Sequence, residues 1–392
     1  MTDPLNSMRA HLPLDGIRVV ELSTMITASF AAMILAEQGA DVIKVEPPGM
    51  GDPMRFIGSQ KPGLSALFHN CNRGKRSIVL DLKDGADLSV ARTLCERADV
   101  VISNYRPSVM ARIGLSYEAL KAVNPKIVFC RITGFGTDGP QAALPAYDHV
   151  MQAQLGMTAA QGKAQNKSNG GQPFHIQHAI CDKATGLMAA QAVSSALFAS
   201  ERSGQGSRVD LSMIDAGMHF FFPDGLMEHT LLDDAATQLD PLTATYAVME
   251  ARDGYFVIAG IGDAQATAVF TLIGKAHLMS DPRFKTPAAR LMNIGDMVAE
   301  MTATSVDQPI ADVLAYMEAH DVPCCECLSP LQAYDHPQLA AMKTVATVDH
   351  PYLGKVRSVR AAARFEGQDG VSHAPSPVLG QHGTDIRAEL EN

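Results

Sequence analysis

The feature that most constrains this chain is the regular alternation of strand and helix patterns through its N-terminal half. "IRVVEL" (17–22), "DVIKVE" (41–46), "RSIVLDL" (76–82), "DVVISNY" (99–105) and "KIVFCRITG" (126–134) are short apolar runs of strand character. "ASFAAMILAEQGA", "ADLSVARTLCERA" and "YEALKAV" lie between them with helical periodicity, the first closing on Gly39, a suitable C-cap. Strands separated by helices return to the same edge by crossovers. This order predicts a mostly parallel sheet with helices on both faces and right-handed connections. An Ala- and Ser-rich helix over 183–200 and a further strand over 207–215 continue the unit. Its alanines favour helix, and its small side chains let a neighbouring element come close. The expected class is α/β.

The pattern changes near Phe222. "PDGLMEHTLLDDAATQLDPLTATY" reads as connection, "GYFVIAGIG" (254–262) as a strand, and helical patterns follow near 264–273, 287–302 and 309–319. A smaller second domain is expected there. "VDHPYLGKVRSVRAAARF" is hairpin-like, and "PSPVLGQHGTDIRAEL" leads through a Pro/Gly loop to a terminal helix.

Composition removes several function classes. The 392 residues are 46% hydrophobic and 19% charged, enough for a full core, and the formal charge is −10 without a basic run. That argues against nucleic-acid and anionic-membrane partners, although a locally basic pocket can still hold an anionic small molecule. No window approaches the roughly 18 to 20 apolar residues of a membrane span. The first residues, "MTDPLNSMRAHLPLDG", lack a signal-peptide core. Seven irregularly spaced cysteines suit free thiols in a reducing compartment, so a cytoplasmic protein is expected. Cys324, Cys325 and Cys327 in "PCCECL" have no second ligand pair of zinc-site type elsewhere in the sequence. They read as small residues of a strand, with no metal expected.

Ligands of open parallel sheets bind beyond the C-terminal strand ends. The loop after the first strand, "STMITASF", is not a dinucleotide fingerprint, no Walker pattern occurs, and no G-x-S-x-G marks a serine nucleophile. In "EPPGMGDPMRF", Gly49, Gly51 and Arg55 read equally as a rigid turn or a phosphate cradle. Arg73, Lys75 and Arg76 precede a strand, and Asn104, Tyr105, Arg106 and Arg112 follow one. Each group is either a solvated turn or an anchor for a phosphate-bearing ligand. Gly134, Gly136 and Gly139 mark a loop with unusual backbone angles. Asp148, in "AYDH", reads as a helix N-cap. Asp182, in "HAICDKATG", stands at a helix start as a cap or as a reactive carboxylate, and its local pattern alone favours the cap.

"PLDGIRVVELSTMITASFAAMILAEQGADVIKVEPPGMGDPMR", "NRGKRSIVLDLK", "ADVVISNYRPSVMARIGLSYEALKAVNPKIVFCRITGFGTDGP", "GQGSRVDLSMIDA", "HPYLGKV" and "PSPVLGQHGTDI" together resemble the class III CoA-transferases, the CaiB/BaiF family, over nearly the whole chain. The resemblance implies an interlocked homodimer. Each chain would form a large Rossmann-like domain from residues 1–222 and 331–392 and a small α+β domain with linkers from 223–330. It implies that Asp182 is the catalytic nucleophile, with Cys181 where many members carry Gly. Acyl-CoA and a carboxylic acid, small or dicarboxylic, would be the substrates, with no tightly bound cofactor. Asp182 would form an acyl anhydride and then a CoA thioester. The helix N-terminus would keep the carboxylate ionised, and nearby amides would steady the tetrahedral intermediates.

The resemblance further implies CoA contacts from Met25, Ile26, Lys75, Asn104, Tyr105 and Arg112, and a substrate pocket at Tyr147, Gly260 and Gly262. Ile26 is apolar where members often carry Gln or Arg. Pro47–Pro48 stands where formyl-CoA transferases carry Arg, and "AGIGDAQ" is poorer in glycine than their active-site loop. The family also contains α-methylacyl-CoA racemases, which pair an aspartate with a histidine. Tyr147 occupies the histidine position, and a phenol with pKa about 10 is a poor base at neutral pH. His149, two residues on, would point roughly 200° away if both were helical. Transfer is the favoured reading; racemisation and non-catalytic acyl-CoA binding are the alternatives.

Overall fold

The structure is a computed structural model that describes residues 11–164, 171–237, 242–366 and 374–391. Much of the segment read for a targeting signal lies outside these residues. The chain forms two compact units. The larger gathers Met1–Thr158, His175–Phe220 and Pro337–Asn392; the smaller gathers Ala159–Phe174 and Phe221–His336.

The larger unit is built on six strands: β1 (Arg18–Leu22), β2 (Asp41–Glu46), β3 (Arg76–Val79), β4 (Val100–Ser103), β5 (Val128–Thr133) and β6 (Arg208–Ser212). They lie in the order β3-β2-β1-β4-β5-β6, and every neighbouring pair is parallel. The order reverses between β1 and β4, so the crevice above their C-terminal ends is the topological switch point of a doubly wound sheet.

Alternation along the strands sorts the core into two layers. Val19, Val42, Val100, Val128 and Cys130 face α1 (Ile26–Glu37) and the long helix α7 (Ile180–Ser203) through Ala28, Ala31, Ala189 and Val193. Their neighbours Val20, Ile43, Val101 and Phe129 face the opposite side. There they meet α3 (Gly85–Glu96), α4 (Pro107–Arg112) and α5 (Tyr117–Val123) through Leu94, Met110 and Leu120. The C-terminal helix α13 (Gly383–Glu391) joins that side. Ile386 is buried, and Arg76 on β3 bonds Glu389 at 2.6 Å. The hairpin expected near the end of the chain is present as β10 (Val345–His350) and β11 (Gly354–Val359).

The strand expected over 207–215 ends at Ser212, because helix α8 (Met213–Gly225) begins immediately after it. In the smaller unit, β8 (Gly254–Ile258) pairs antiparallel with β7 (Met249–Ala251) and β9 (Cys324–Glu326). The reading of Cys324 and Cys325 as strand residues holds, whereas β7 fell inside the presumed connection. Helices α9 (Asp263–Leu272), α11 (Ile294–Thr302) and α12 (Ile310–Ala319) form a core with this sheet around Phe256, Phe270, Phe284 and Met317, and α10 (Pro287–Met292) leads into α11. The single helical pattern over 287–302 is broken at Asn293 into α10 and α11.

Beneath α1 the apolar core is interrupted by a fully buried ionic cluster. Glu21 on β1 receives Lys44 from β2 at 2.6 Å on one oxygen and Lys75 at 2.7 Å on the other. Lys44 also pairs with Asp52 at 2.9 Å. Lys75 spends its remaining hydrogens on the Ser29 carbonyl and Asn72 Oδ1, both at 2.7 Å. Burial alone would raise the Glu21 carboxyl, but the charges and hydrogen bonds of Lys44 and Lys75 outweigh it and hold it far below the ordinary carboxylate range. A buried pair is costly to break because the orphaned charge stays in low dielectric. Glu21→Gln should therefore destabilise the protein by roughly 3–5 kcal/mol, seen as a lower urea midpoint. A depressed folded-state pKa contributes stability above the unfolded-state value and loses it as pH falls. Wild-type stability should therefore decline in acid more steeply than that of Glu21→Gln.

Candidate active site

The turn after β1 lies at the switch point, and its backbone is strained. Met25, the N-cap of α1, has φ 65° and ψ −166°, a region that non-glycine residues avoid. Side chains from two other elements hold it there. The Met25 amide donates to Asp52 Oδ1 at 3.2 Å. The Thr24 amide donates to Asn104 Oδ1 at 3.1 Å, and Asn104 returns its own amide hydrogen to the Thr24 carbonyl at 2.7 Å. Asn104 thus braces the switch point across β1 and β4. Met25 and Ile26 are half-buried against the cluster of Met54, Leu64 and Phe68.

Two residues beyond the strained turn, Thr27 donates its hydroxyl to Asp182 in a very short hydrogen bond. Asp182 is not the N-cap of its helix. Helix α7 begins at Ile180, so Asp182 is its third residue, and Ala179 occupies the cap position without a side-chain bond. The capping is done from elsewhere. Asp148, the first residue of α6 (Asp148–Gln154), accepts the Asp182 amide on Oδ2 at 2.9 Å. Asp148 therefore caps α7 rather than its own helix.

The first-turn amides of α7 are consequently committed elsewhere. Those of Ile180 and Lys183 bond the carbonyls of His178 and Ala179 at 2.8 and 3.2 Å. The Asp182 carboxyl is not kept unusually acidic by these amides, contrary to the expectation above. Burial raises it, the Thr27 bond opposes this, and the Asp148 charge adds to the rise, giving a pKa of about 6. At pH 7 the ionised form still prevails by roughly ten to one.

The contact between α1 and α7 depends on Gly186. A Cβ there would lie 2.9 Å from the Thr27 carbonyl and 3.1 Å from the Phe30 ring, so only glycine lets the backbones approach this closely. Cys181 points the other way. It is fully buried, its sulfur lies 3.8 Å from Met157 Sδ, and burial pushes its thiol up to about 12.

Several expected ligand contacts are structural. Lys75 is buried with all three ammonium hydrogens engaged, and burial pushes it down to about 8. It has no donor left for a phosphate, which corrects its assignment as a CoA contact. Arg55 forks onto Glu46 at 2.6 and 2.8 Å and lies 3.7 Å over the Phe68 ring, so the loop after β2 is a rigid turn. Arg73 bonds Glu37, and Arg76 bonds Asp41 and Glu389. Arg73 precedes β3 and Arg76 opens it, so both lie at the N-terminal end of the strand. The lysine at the ligand-binding end is Lys83. With Pro47, Leu82 and Tyr105 it lines a cavity of about 150 Å³ beyond β2 and β3. Sheet direction was the signal that distinguishes Lys83 from Lys75. Arg112 is exposed in the last turn of α4. Tyr105 also walls a cavity of about 320 Å³ beside α4 and α5, where Arg131 and Arg208 are already paired with Asp210 and Glu118.

Tyr147 is 59% exposed and extended, at φ −137° and ψ 159°. The helical rotation used to set His149 apart from it does not apply. The two rings stack at 6.2 Å with an interplanar angle of 6°. Gly260 and Gly262 lie in the smaller unit, on the turn from β8 to α9, and neither has a positive φ. Arg290, fully buried, holds that turn. It donates to the Ile261 carbonyl at 2.7 Å and to the Phe284 carbonyl at 2.6 Å, and it pairs with Asp263.

The chain matches CoA-transferase family III over residues 14–383. It is 32% identical to the succinate–glutarate CoA-transferase of Agrobacterium fabrum over 389 residues, 97% of this chain and 96% of that protein. It is 35% identical to the acetyl-CoA:oxalate CoA-transferase of Acetobacter aceti over 308 residues, 76% of each. The solved structure of a CaiB/BaiF family protein from Brucella suis matches with a TM-score of 0.81 at 33% identity, covering 97% of this chain and 99% of that one. A parallel sheet in the order 3-2-1-4-5-6, a half-buried carboxylate bonded by its switch-point helix and these likenesses converge: the chain belongs to CoA-transferase family III, and it is an enzyme of that class.

Proposed function

We propose that the enzyme moves CoA from an acyl-CoA to a free dicarboxylic acid with Asp182 as nucleophile. The observation that carries this reading is a carboxylate that is half-buried, fixed by Thr27 and raised to about 6, so that it is both ionised and basic at neutral pH. An Asp182 oxygen attacks the thioester carbonyl carbon; the new C–O bond forms and the C–S bond breaks, its electron pair leaving on the CoA thiolate. The thiolate then attacks the Asp182 acyl carbon of the anhydride, releasing the donor acid and leaving an aspartyl-CoA thioester. The acceptor carboxylate attacks that thioester, and the thiolate returns to the acceptor's carbonyl to free Asp182. Each step is an acyl transfer, and no redox partner is required. The preference for a dicarboxylic acceptor is supported by the names of the relatives, which act on succinate and glutarate or on oxalate.

Lys83, Tyr105 and Arg112 are the proposed CoA contacts, with Asn104, Met25 and Ile26 shaping the turn beside them. Tyr147 in the larger unit, and separately Gly260 and Gly262 in the smaller, are proposed as contacts of the acid. An interlocked homodimer is supported by apolar side chains exposed on both units: Leu187 and Phe198 on α7, and Leu232 and Tyr246 in the smaller unit, at 56, 64, 92 and 70%. The racemase alternative draws its support from the stacking of His149 on Tyr147 at 6.2 Å.

Incubation with a succinyl- or oxalyl-CoA donor followed by hydroxylamine or borohydride should modify Asp182; a modified peptide elsewhere in the chain would refute the assignment. Asp182→Ala should abolish exchange while the circular dichroism spectrum is retained. Gly186→Ala should part α1 from α7, lowering kcat by about 100-fold through a displaced Thr27 and stability by about 1–3 kcal/mol; both are read on one preparation. Light scattering should give twice the chain mass. Racemase activity would be seen as deuterium entering the α-carbon of a 2-methylacyl-CoA in heavy water, and its absence across a donor panel retires that alternative.

A further inference from the structure

Asp148 and Gln152 on α6 together form a clamp on the start of α7. Asp148 Oδ2 takes the Asp182 amide, and Asp148 Oδ1 accepts Gln152 Nε2 at 2.6 Å. The same Gln152 nitrogen lies 3.2 Å from the Ile176 carbonyl and 3.1 Å from the His178 carbonyl, and Gln152 Oε1 accepts the Ile176 amide at 3.0 Å. Gln152 is 2% exposed, so these bonds are made away from water, where leaving them unmade is costly. One glutamine side chain thus fixes both the backbone leading to the nucleophile and the carboxylate that caps it.

We infer that Asp148 is the positioning residue of this active site: held by Gln152, it takes the nucleophile's own amide, so that the Asp182 carboxylate is left to Thr27 and to the substrate. The inference rests on Asp182 being the nucleophile. Two consequences follow from placing a second negative charge beside the first. Burial comes first in raising Asp182, and Asp148 adds to it, which makes the attacking oxygen more basic. When the C–O bond forms and the C–S bond breaks, the charge on Asp182 departs with the CoA sulfur. The repulsion from Asp148 is present before the attack and gone after it, so it favours the forward step.

The surroundings leave Asp148 as the charged group that acts on Asp182. Helix α1 offers the neutral Thr27 hydroxyl. On α7, the Cys181 thiol is protonated and lies against Met157, and Lys183 beside it forms no ion pair with Asp182 among the described residues. On α6, His149 is exposed and stacked on Tyr147, with His175 edge-on to it at 6.3 Å. His178 precedes α7 and contributes its carbonyl to Gln152.

The test compares kcat against pH for the wild type, Asp148→Asn, Asp148→Ala and Gln152→Met, each with KM for acyl-CoA. Asn keeps an oxygen for the Asp182 amide and removes the charge. Its acid limb should move to lower pH, with a reduced plateau and an unchanged KM. Ala removes the acceptor as well, and kcat should fall on the order of 100-fold below wild type. Gln152→Met should lower kcat without moving the acid limb, because it loosens the clamp and leaves the charge. An acid limb of Asp148→Asn that coincides with wild type, or a Gln152→Met enzyme with undiminished kcat, overturns the inference. Hydroxylamine trapping on the same variants separates the two readings: Asp182 should still be labelled in Asp148→Asn, whereas an unlabelled Asp182 in the wild type removes the nucleophile assignment itself.

Discussion

The ion pairs of Lys44 underlie the rest of the site. This one ammonium, shut away from water, joins Glu21 under α1 to Asp52 in the loop after β2. Asp52 in turn receives the Met25 amide and so holds the turn after β1 in a conformation that Met25 would not adopt alone. That turn sets the first residues of α1, and with them Thr27. A buried ion pair is weak evidence of net stability, since apolar packing often does as well. Here its value lies in direction: a charge in low dielectric tolerates few arrangements, and the one it tolerates fixes the backbone that leads to Thr27 and its bond to Asp182.

The geometry around Asp182 divides two tasks between neighbouring carboxylates. One caps the helix, and the other, the proposed nucleophile, is left to Thr27. A single aspartate doing both would have its oxygens occupied by amides and its basicity lowered. With Asp148 as the cap, the helix start is satisfied and Asp182 stays available, lifted in pKa by burial and by the very residue that relieved it of capping. The close crossing at Gly186 completes the arrangement by bringing α1 within reach.

Much of the architecture was legible in the sequence because it is written in local pattern. Strands and helices of the parallel sheet recur where the alternation placed them, within about three residues at their ends. Strand order was not legible, since crossover direction and sheet position depend on contacts distant in the chain. Charged side chains show the same division. In "GKRSIVLDLK" Lys75 rather than Lys83 stands out as an anchor, and it is the direction of β3 that places Lys75 beneath α1 and Lys83 beside a cavity. Tyr147 and His149 show a related limit: Tyr147 is extended, so helical spacing does not set the two rings apart. Asp148 was read as a cap correctly in kind, but its helix was misassigned, because capping across elements leaves no spacing signature.

The burial of Cys181 has a chemical consequence. An enzyme that passes acyl groups through thioesters must keep other thiols out of the exchange, because any thiolate beside an activated acyl carbon competes for it. Attack requires the thiolate, and with the thiol pushed up to about 12 almost none is present at neutral pH. The sulfur is turned into the packing around Met157, away from water. The residue adjoining the proposed nucleophile is therefore chemically silent, and under that proposal an acyl group carried on Asp182 would meet no thiol from Cys181 to compete with the one that arrives with its substrate.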